Sequence, residues 1–572
     1  MNRGNGITLL AVTAALAICS IPSSTTMSVQ PLRNVAASDP GVLLTGKVVT
    51  MNDAGEVWPG ARLWVRAGRI EAITKMGDPL PAGAKDAQVI NTDGVIYPGM
   101  IDLHNHPEFS IYPLMPIRKA YKDRYEWRFY EAAYNKRITY PQLVLAANDY
   151  YDLGMEMGRY GEYKAMAGGT TALQGGSVDR PYSTSECLVR NIENSRVGPR
   201  LAVSRVDIGR DAIEWADLLR VKEKGLLALH LAEGTSSRMA TEYEAIKKSG
   251  LVGSELITIH NVGLTRDQFK DMAAHGAKMV WSPLSNFLLY GKTADVAAAR
   301  KAGLAISLAP DWAPSGSKSI LGELKIADLV NKHQLNGLFS DRELAEMVTR
   351  NPAQAMRWTD RAGQIAPGFV SDLVVMDDQH NDPYRNLIEA TEENVRLLAV
   401  RGEMLYGDQY IMRKVRRAVD IEGTAKFDNN RTKVMAVDCP GTKLPKMSFA
   451  ETKDRLQRAL DMDPSFLLEQ VQRRPDSVKR IVAELSNCPG GSSAGRLTAA
   501  DMKRLLSCRL GLPYERTTLS PLVTNDDEEW MARLLANPNI PTYLKALPHY
   551  YERKQEEGEH QGNQGNEQHT RR

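Results

Sequence analysis

Cysteine is scarce in this chain, with five in 572 residues. That excludes a small disulfide scaffold, in which cysteine is dense and the core minimal. A charge of one sign is also missing. Lysine and arginine number 72 against 69 acidic residues, for a net charge of +3. Such a balance gives no footing for nucleic acid or an anionic membrane surface. Long apolar runs are absent beyond residue 21, so no later segment reaches a spanning length. No internal repeat is visible. What remains is a chain that is 43% hydrophobic and 25% charged, typical of globular proteins. It is too long for one compact core, so two or three domains are expected.

The N-terminus carries one apolar run, Ile7 to Ile21, after Asn2 and Arg3. Its 15 residues are short for a spanning helix and fit the core of a secretory signal, with residues 1–26 assigned to it. Export to the periplasm or the medium follows. Lipid anchoring at Cys19 is a lesser possibility, because Ile18 is bulky where a lipoprotein box wants a small residue. Cys187, Cys439, Cys488 and Cys508 then remain. An even number in an oxidising compartment permits two bridges, and four buried thiols are the alternative.

Short β runs fill Gly41 to about Ile96, with Gly68 as a hairpin turn, and return near residues 372–400. They predict one small β-sandwich domain built from 41–97 and 363–425. Between them, over 98–362, strand runs at 170–174, 201–206, 226–231, 256–260, 278–282 and 304–308 alternate with helical stretches such as 267–274 and 320–333. That alternation predicts an α/β domain of the (β/α)8 TIM-type barrel kind. Residues 426–552 form a helical C-terminal extension with helices at 447–460, 464–485, 498–510 and 528–535. The stretch 553–572 holds no large apolar residue and is expected to be a disordered tail.

Polar residues at the ends of the apolar runs carry the chemistry. His104 and His106 leave the strand Ile101–Leu103 two residues apart, so both rings can face one point, as a metal site needs. His230 ends the run Leu226–Leu229, and Glu233 follows three residues later. The histidine can bind a metal while the glutamate shuttles a proton between water and leaving group. The alternative is a core histidine followed by a helix-capping glutamate. His260 ends another run, as a ligand or as a group that orients water. Asp311 follows the run 304–310, as a ligand and proton acceptor or as a turn residue. Barrels of this type place catalysis at the C-terminal ends of the strands, where all these residues fall. Residues 109–140 are rich in aromatic and basic side chains, which suits either a pocket wall or a solvated amphipathic helix.

The ordered marks GVIYPGMIDLHNH (94–106), GTTAL (169–173), LHLAE (229–233), His260, SPLSN (282–286), Asp311 and NPA at 351–353 resemble the amidohydrolase superfamily. The match lies in the cytosine-deaminase-like branch, with triazine hydrolases and guanine deaminase, and covers about 41–405. The resemblance implies one divalent metal, zinc or else iron, held by His104, His106, His230 and Asp311. Glu233, His260 and Asp311 would be the catalytic groups. Binuclear members carry a carboxylated lysine on the fourth strand. The candidate here, LAVSRV (201–206), has none, which favours a single ion.

Trp281 stands where many of these deaminases have histidine, and Trp312 follows the metal aspartate where small residues are usual. Trp281, Trp312 and Gln174 are therefore the expected substrate contacts, with a planar heterocycle as the expected small-molecule substrate. A metal-activated water would hydrolyse a non-peptide carbon–nitrogen bond. An amidase, dipeptidase-like or dechlorinating reaction on the same site, or a binding protein on the same scaffold, are the alternatives. Homo-oligomerisation is open.

Overall fold

The computed structural model describes residues 39–552 apart from 176–187, 194–196, 200, 210–213, 215–224, 428–430, 439–445, 490–496 and 511–516. The expected signal, the expected disordered tail, Cys187 and Cys439 lie outside the described residues.

The early β segments and the later ones build one sheet. Nine strands run in the spatial order Ile421–Lys426, Thr432–Ala436, Glu403–Asp408, Val395–Val400, Leu373–Asp377, Gln88–Pro98, Val42–Val49, Val57–Arg66 and Arg69–Lys75. The two sequence-distant halves meet where Leu373–Asp377 pairs antiparallel with Gln88–Pro98, with Val375 opposite Ile96. The expected sandwich thus takes the form of one continuous sheet, and it runs on to Ala436, past residue 425. The predicted hairpin turns at Ala67 and Gly68, both at positive φ (51° and 79°), which suits the twist of the flanking strands. Alternate residues Leu44, Val48, Leu63, Val65, Ile96 and Val375 share one apolar cluster.

Among the described residues, eight further strands are parallel. They are β1 (Met100–Asp102), β2 (Thr170–Leu173), β3 (Arg190–Asn191), β4 (Leu201–Arg205), β5 (Leu226–Leu231), β6 (Leu256–His260), β7 (Lys278–Trp281) and β8 (Ile306–Leu308). β1 to β3 form one sheet and β4 to β8 another, each in sequence order. A parallel bridge between Asn105 and Asp311 links the chain just after β1 to the chain just after β8. All six residues of β5 are buried, which is why its sequence is apolar at every position but His230 rather than alternating. Leu226 and Ala228 join Ile257, Ile259, Val280 and Ala309 in one cluster. Leu227, Leu229 and Leu231 join Met239, Tyr243, Phe269 and Met272 from the helices Ser237–Lys248 and Arg266–Ala274. His230 continues the first series and faces the interior.

Past the large sheet the chain is helical, in Phe449–Leu460, Pro464–Gln472, Pro475–Ser486, Ala499–Leu510 and Glu528–Leu535. The run expected over 464–485 is two helices. Pro475 lacks an amide hydrogen and begins the second one. Cys488 and Cys508 form a disulfide, with Cα atoms 5.7 Å apart. The extension is anchored by buried charges: Lys318 pairs with Asp527, and Lys164 Nζ donates to Ser520 Oγ at 2.8 Å and to the Ser110 carbonyl at 2.7 Å.

Candidate active site

The strand ends bring six polar residues together. His104 leaves β1 fully buried, and the His106 side chain is 27% exposed. His230 comes from β5 and Glu233 from the turn after it. His260 ends β6, and Asp311 follows β8. Donor atoms of His104, His106 and His230 lie within 4.8 Å of one another; so do those of His104, His260 and Asp311, and those of His230, Glu233 and His260. Asp311 Oδ1 is 3.0 Å from His104 Nε2 and 3.6 Å from His106 Nε2. His260 Nε2 is 3.7 Å from Glu233 Oε2 and 4.0 Å from Asp311 Oδ2.

Local backbone makes this convergence possible. His260 and Asp311 have φ of 69° and 68°, a left-handed conformation costing about 1–3 kcal/mol for a side-chain-bearing residue. The surrounding core holds both in place. The loop after β1 is shaped by Asp102, whose Oδ1 accepts from the His104 amide at 3.1 Å and whose Oδ2 accepts from Asn105 Nδ2 at 2.6 Å. Gly175 packs so close to the Asn105 carbonyl that any side chain there would collide with it.

The electrostatics keep three of the four imidazoles, His106, His230 and His260, in the neutral form a cation requires. Burial lowers His106 and His260 to about 3 and His230 well below the usual histidine value. Burial also opposes charge on His104, but the neighbouring Asp311 carboxylate outweighs it and raises His104. For Asp311 burial pushes upward, and the charge of His104 pulls it below the carboxylate range. Burial raises Glu233 to about 7.

The donor set fits a divalent metal. Both ring nitrogens of His104 and Oε2 of Glu233 are buried without a hydrogen-bond partner, which is costly unless something else engages them. Imidazole nitrogens with one carboxylate are ligands that zinc accepts. Partners behind these donor groups fix the imidazole tautomers. His230 Nδ1 lies 3.0 Å from the Arg205 carbonyl and donates to it, leaving Nε2 to the site. His260 Nδ1 donates to Asn286 Oδ1 at 3.0 Å, and Ser285 Oγ donates to Asp311 Oδ2 at 2.6 Å.

A cavity of about 150 Å3 opens onto these groups, walled by Phe109, Trp127, Tyr134 and Trp312. Trp312 lies 5.5 to 6.2 Å, centroid to centroid, from the other three rings. Arg128 also lines the cavity and pairs with Asp207 at 2.8 Å. Residues 109–140 therefore contribute a pocket wall. Its helix, Arg124–Tyr130, is capped by Asp123, and a π-helical turn, Asn135–Thr139, follows Tyr134. A larger cavity of about 600 Å3, beside His380 and Tyr550, has no metal-ligating cluster among the described residues, so chemistry rather than volume locates the site.

Of the three expected substrate contacts, Trp312 lines the cavity and two do not. Trp281 is fully buried, with its indole N–H donated to Thr293 Oγ1 at 2.7 Å. Thr293 also takes a hydrogen bond from Asn286 Nδ2, so Trp281 supports the residue that orients His260. Gln174 is 3% exposed and turned away. Its Oε1 accepts from the Asn105 amide, and its Nε2 donates to Ser204 and Glu193. Both side chains are used up by neighbours that sequence spacing does not reveal. Ser285 and Asn286 lie inside the SPLSN segment that the sequence singles out, though without an assigned role, whereas Tyr290 has no local signal and is missed by sequence reasoning.

Residues 221–405 match the amidohydrolase family model. The chain is 26% identical over 220 residues to the 5-methylthioadenosine/S-adenosylhomocysteine deaminase of Pyrococcus abyssi, covering 35% of this chain and 51% of that protein. It thus spans about half the length of that relative. It is 22% identical over 437 residues to the deaminase of the same name from Desulfitobacterium hafniense strain DCB-2, covering 69% of this chain and 99% of that one. The fold is similar to the zinc-complexed atrazine chlorohydrolase of Arthrobacter aurescens, at a TM-score of 0.52 and 16% identity over 64% of this chain and 95% of that one. The matching segment carries His230, Glu233, His260 and Asp311, and over it the chain is similar to the amidohydrolase family.

Proposed function

We propose that this protein is a single-metal aminohydrolase that releases ammonia from a planar nitrogen heterocycle. The convergence of His104, His106, His230, His260, Glu233 and Asp311 at one point carries the reading. The eight parallel strands are read as a (β/α)8 barrel, with the Asn105–Asp311 bridge drawing its first and last strand ends together. The fourth strand, Leu201–Arg205, has no lysine to bridge a second ion, which supports a single metal. His104, His106, His230 and Asp311 would hold it, with zinc the first choice. A divalent ion in that position supplies Lewis acidity and lowers the pKa of water towards about 7.

The chain's own groups supply the rest. Glu233 Oε2 faces the cavity unpartnered and takes a proton from water, then gives it to the leaving nitrogen. His260 presents an Nε2 lone pair beside it, because its Nδ1–H is committed to Asn286. Phe109, Trp127, Tyr134 and Trp312 make a cage suited to a flat ring and exclude water from it. The deaminase names of the relatives support ammonia release rather than dechlorination or amide cleavage. The Cys488–Cys508 bridge supports export through the N-terminal apolar segment.

Ammonia release across purines, pyrimidines, pterins and triazines, before and after chelation, tests this reading. Activity should disappear on stripping and return with zinc. Full activity in stripped protein, or turnover of a substrate without ammonia release, would overturn it.

A further inference from the structure

Glu233 is gripped from behind by two residues outside every sequence motif. Helix Pro283–Tyr290 follows β7 and ends at Gly291. Its last residue, Tyr290, is 4% exposed, and its hydroxyl donates to Glu233 Oε1 at 2.6 Å. Trp127 Nε1 in turn donates to the Tyr290 oxygen at 3.0 Å. Accepting from Trp127 directs the single hydroxyl hydrogen of Tyr290 towards Glu233. The helix bearing Trp127 is itself docked on the glutamate's loop. The Arg124 amide donates to the Glu233 carbonyl at 3.2 Å. The Arg124 guanidinium forks onto Glu242, which also accepts from the Ala232 amide at 2.9 Å.

One carboxylate oxygen is therefore committed, and the other, Oε2, has no hydrogen-bond partner and faces His260. We propose that Tyr290, backed by Trp127, is a positioning residue that fixes the Glu233 carboxylate so that Oε2 alone carries the proton. The inference rests on the reading of Glu233 as the proton carrier. The physical need is clear: a proton-transfer group must stay within hydrogen-bond reach, and a displacement of about 1 Å can cost about 100-fold in rate. Without Tyr290, no other side chain among the described residues hydrogen-bonds the Glu233 carboxylate.

The test compares Tyr290→Phe, Trp127→Phe, the double variant and Glu233→Gln in the full chain loaded with zinc. kcat and KM are measured on the best substrate of the ammonia panel, alongside bound zinc. Tyr290→Phe should lower kcat about 10- to 100-fold, with KM within about threefold and zinc content unchanged. Trp127→Phe also touches the cavity, so its kcat is the readout; it should fall less, and the substitution should add nothing in the Tyr290→Phe background. A normal kcat in Tyr290→Phe, a kcat loss that tracks zinc loss, or strict additivity in the double variant overturns the inference. Should Tyr290→Phe fail to fold, Trp127→Phe decides alone: a lowered kcat with zinc retained supports the inference, and a normal kcat overturns it. Inactive Glu233→Gln beside normal Tyr290→Phe overturns this inference only, whereas active Glu233→Gln overturns the proton-carrier reading beneath it.

Discussion

Replacing Glu233 by glutamine separates catalysis from stability in a way the structure makes quantitative. Glutamine keeps the size of the side chain and keeps Oε1 to accept from Tyr290. The other oxygen becomes an amide nitrogen, which cannot accept a proton. Loss of a proton carrier costs about 10²- to 10⁴-fold in rate, so kcat should fall by that factor. Stability should move the other way. Burial raises the Glu233 carboxyl from 4.5 to about 7, so the folded, metal-free protein keeps a proton there that the unfolded chain releases. Below pH 4.5 both states are protonated and the carboxyl costs nothing. As pH rises from 4.5 to 7 the wild type loses about 1.4 kcal/mol per pH unit, or about 3 kcal/mol by pH 8. Glutamine carries no such cost. Chelated Glu233→Gln should therefore unfold at higher denaturant than chelated wild type at pH 8, and the gap should close near pH 4.5. Paired denaturation curves at the two pH values measure it. Equal curves at pH 8 would refute the burial argument, and near-normal turnover would refute the proton-carrier role.

Four other outcomes follow from particular contacts. Asn286→Ala removes the acceptor that fixes the His260 tautomer and should lower kcat about 10- to 100-fold by steady-state kinetics. Trp281→Phe deletes a buried N–H···O contact remote from the cavity. It should cost about 1 kcal/mol in thermal unfolding with KM unchanged. Trp312→Ala opens the aromatic wall, and KM for ring substrates should rise about 2- to 10-fold while the metal stays bound. Cys488→Ser breaks a bridge between residues 20 apart and should cost about 3 kcal/mol in denaturant unfolding; the same substitution should have no effect when both proteins are measured in reductant.

Chain order and local chemistry made much of this legible beforehand. The strand runs at 226–231, 256–260 and 278–282 read directly because buried parallel strands are predominantly apolar on both faces, although the last strand ends at Trp281. His230 and His260 read as candidate site residues because each lies at or next to the end of such a run. The break at Pro475 was missed because the apolar spacing on either side of it carries on as one helix. Trp281 was misplaced because its strand-end position suggested the pocket, while its indole hydrogen is spent on Thr293.

The sequence by itself determined which atoms are available: imidazoles, a carboxylate pair and a strand at 201–205 without lysine, each set by covalent identity and by period-two or run-end spacing. Tertiary structure alone decided how those atoms are held. The orphaned Oε2 of Glu233, the tautomer of His260 and the aromatic wall depend on Tyr290, Asn286 and Trp127. Tyr290 and Asn286 lie 57 and 26 residues from the groups they serve, and Trp127 lies 163 residues from the Tyr290 hydroxyl it donates to. No local pattern encodes a hydrogen bond over that distance, because only packing of the whole core brings its two ends within 3 Å.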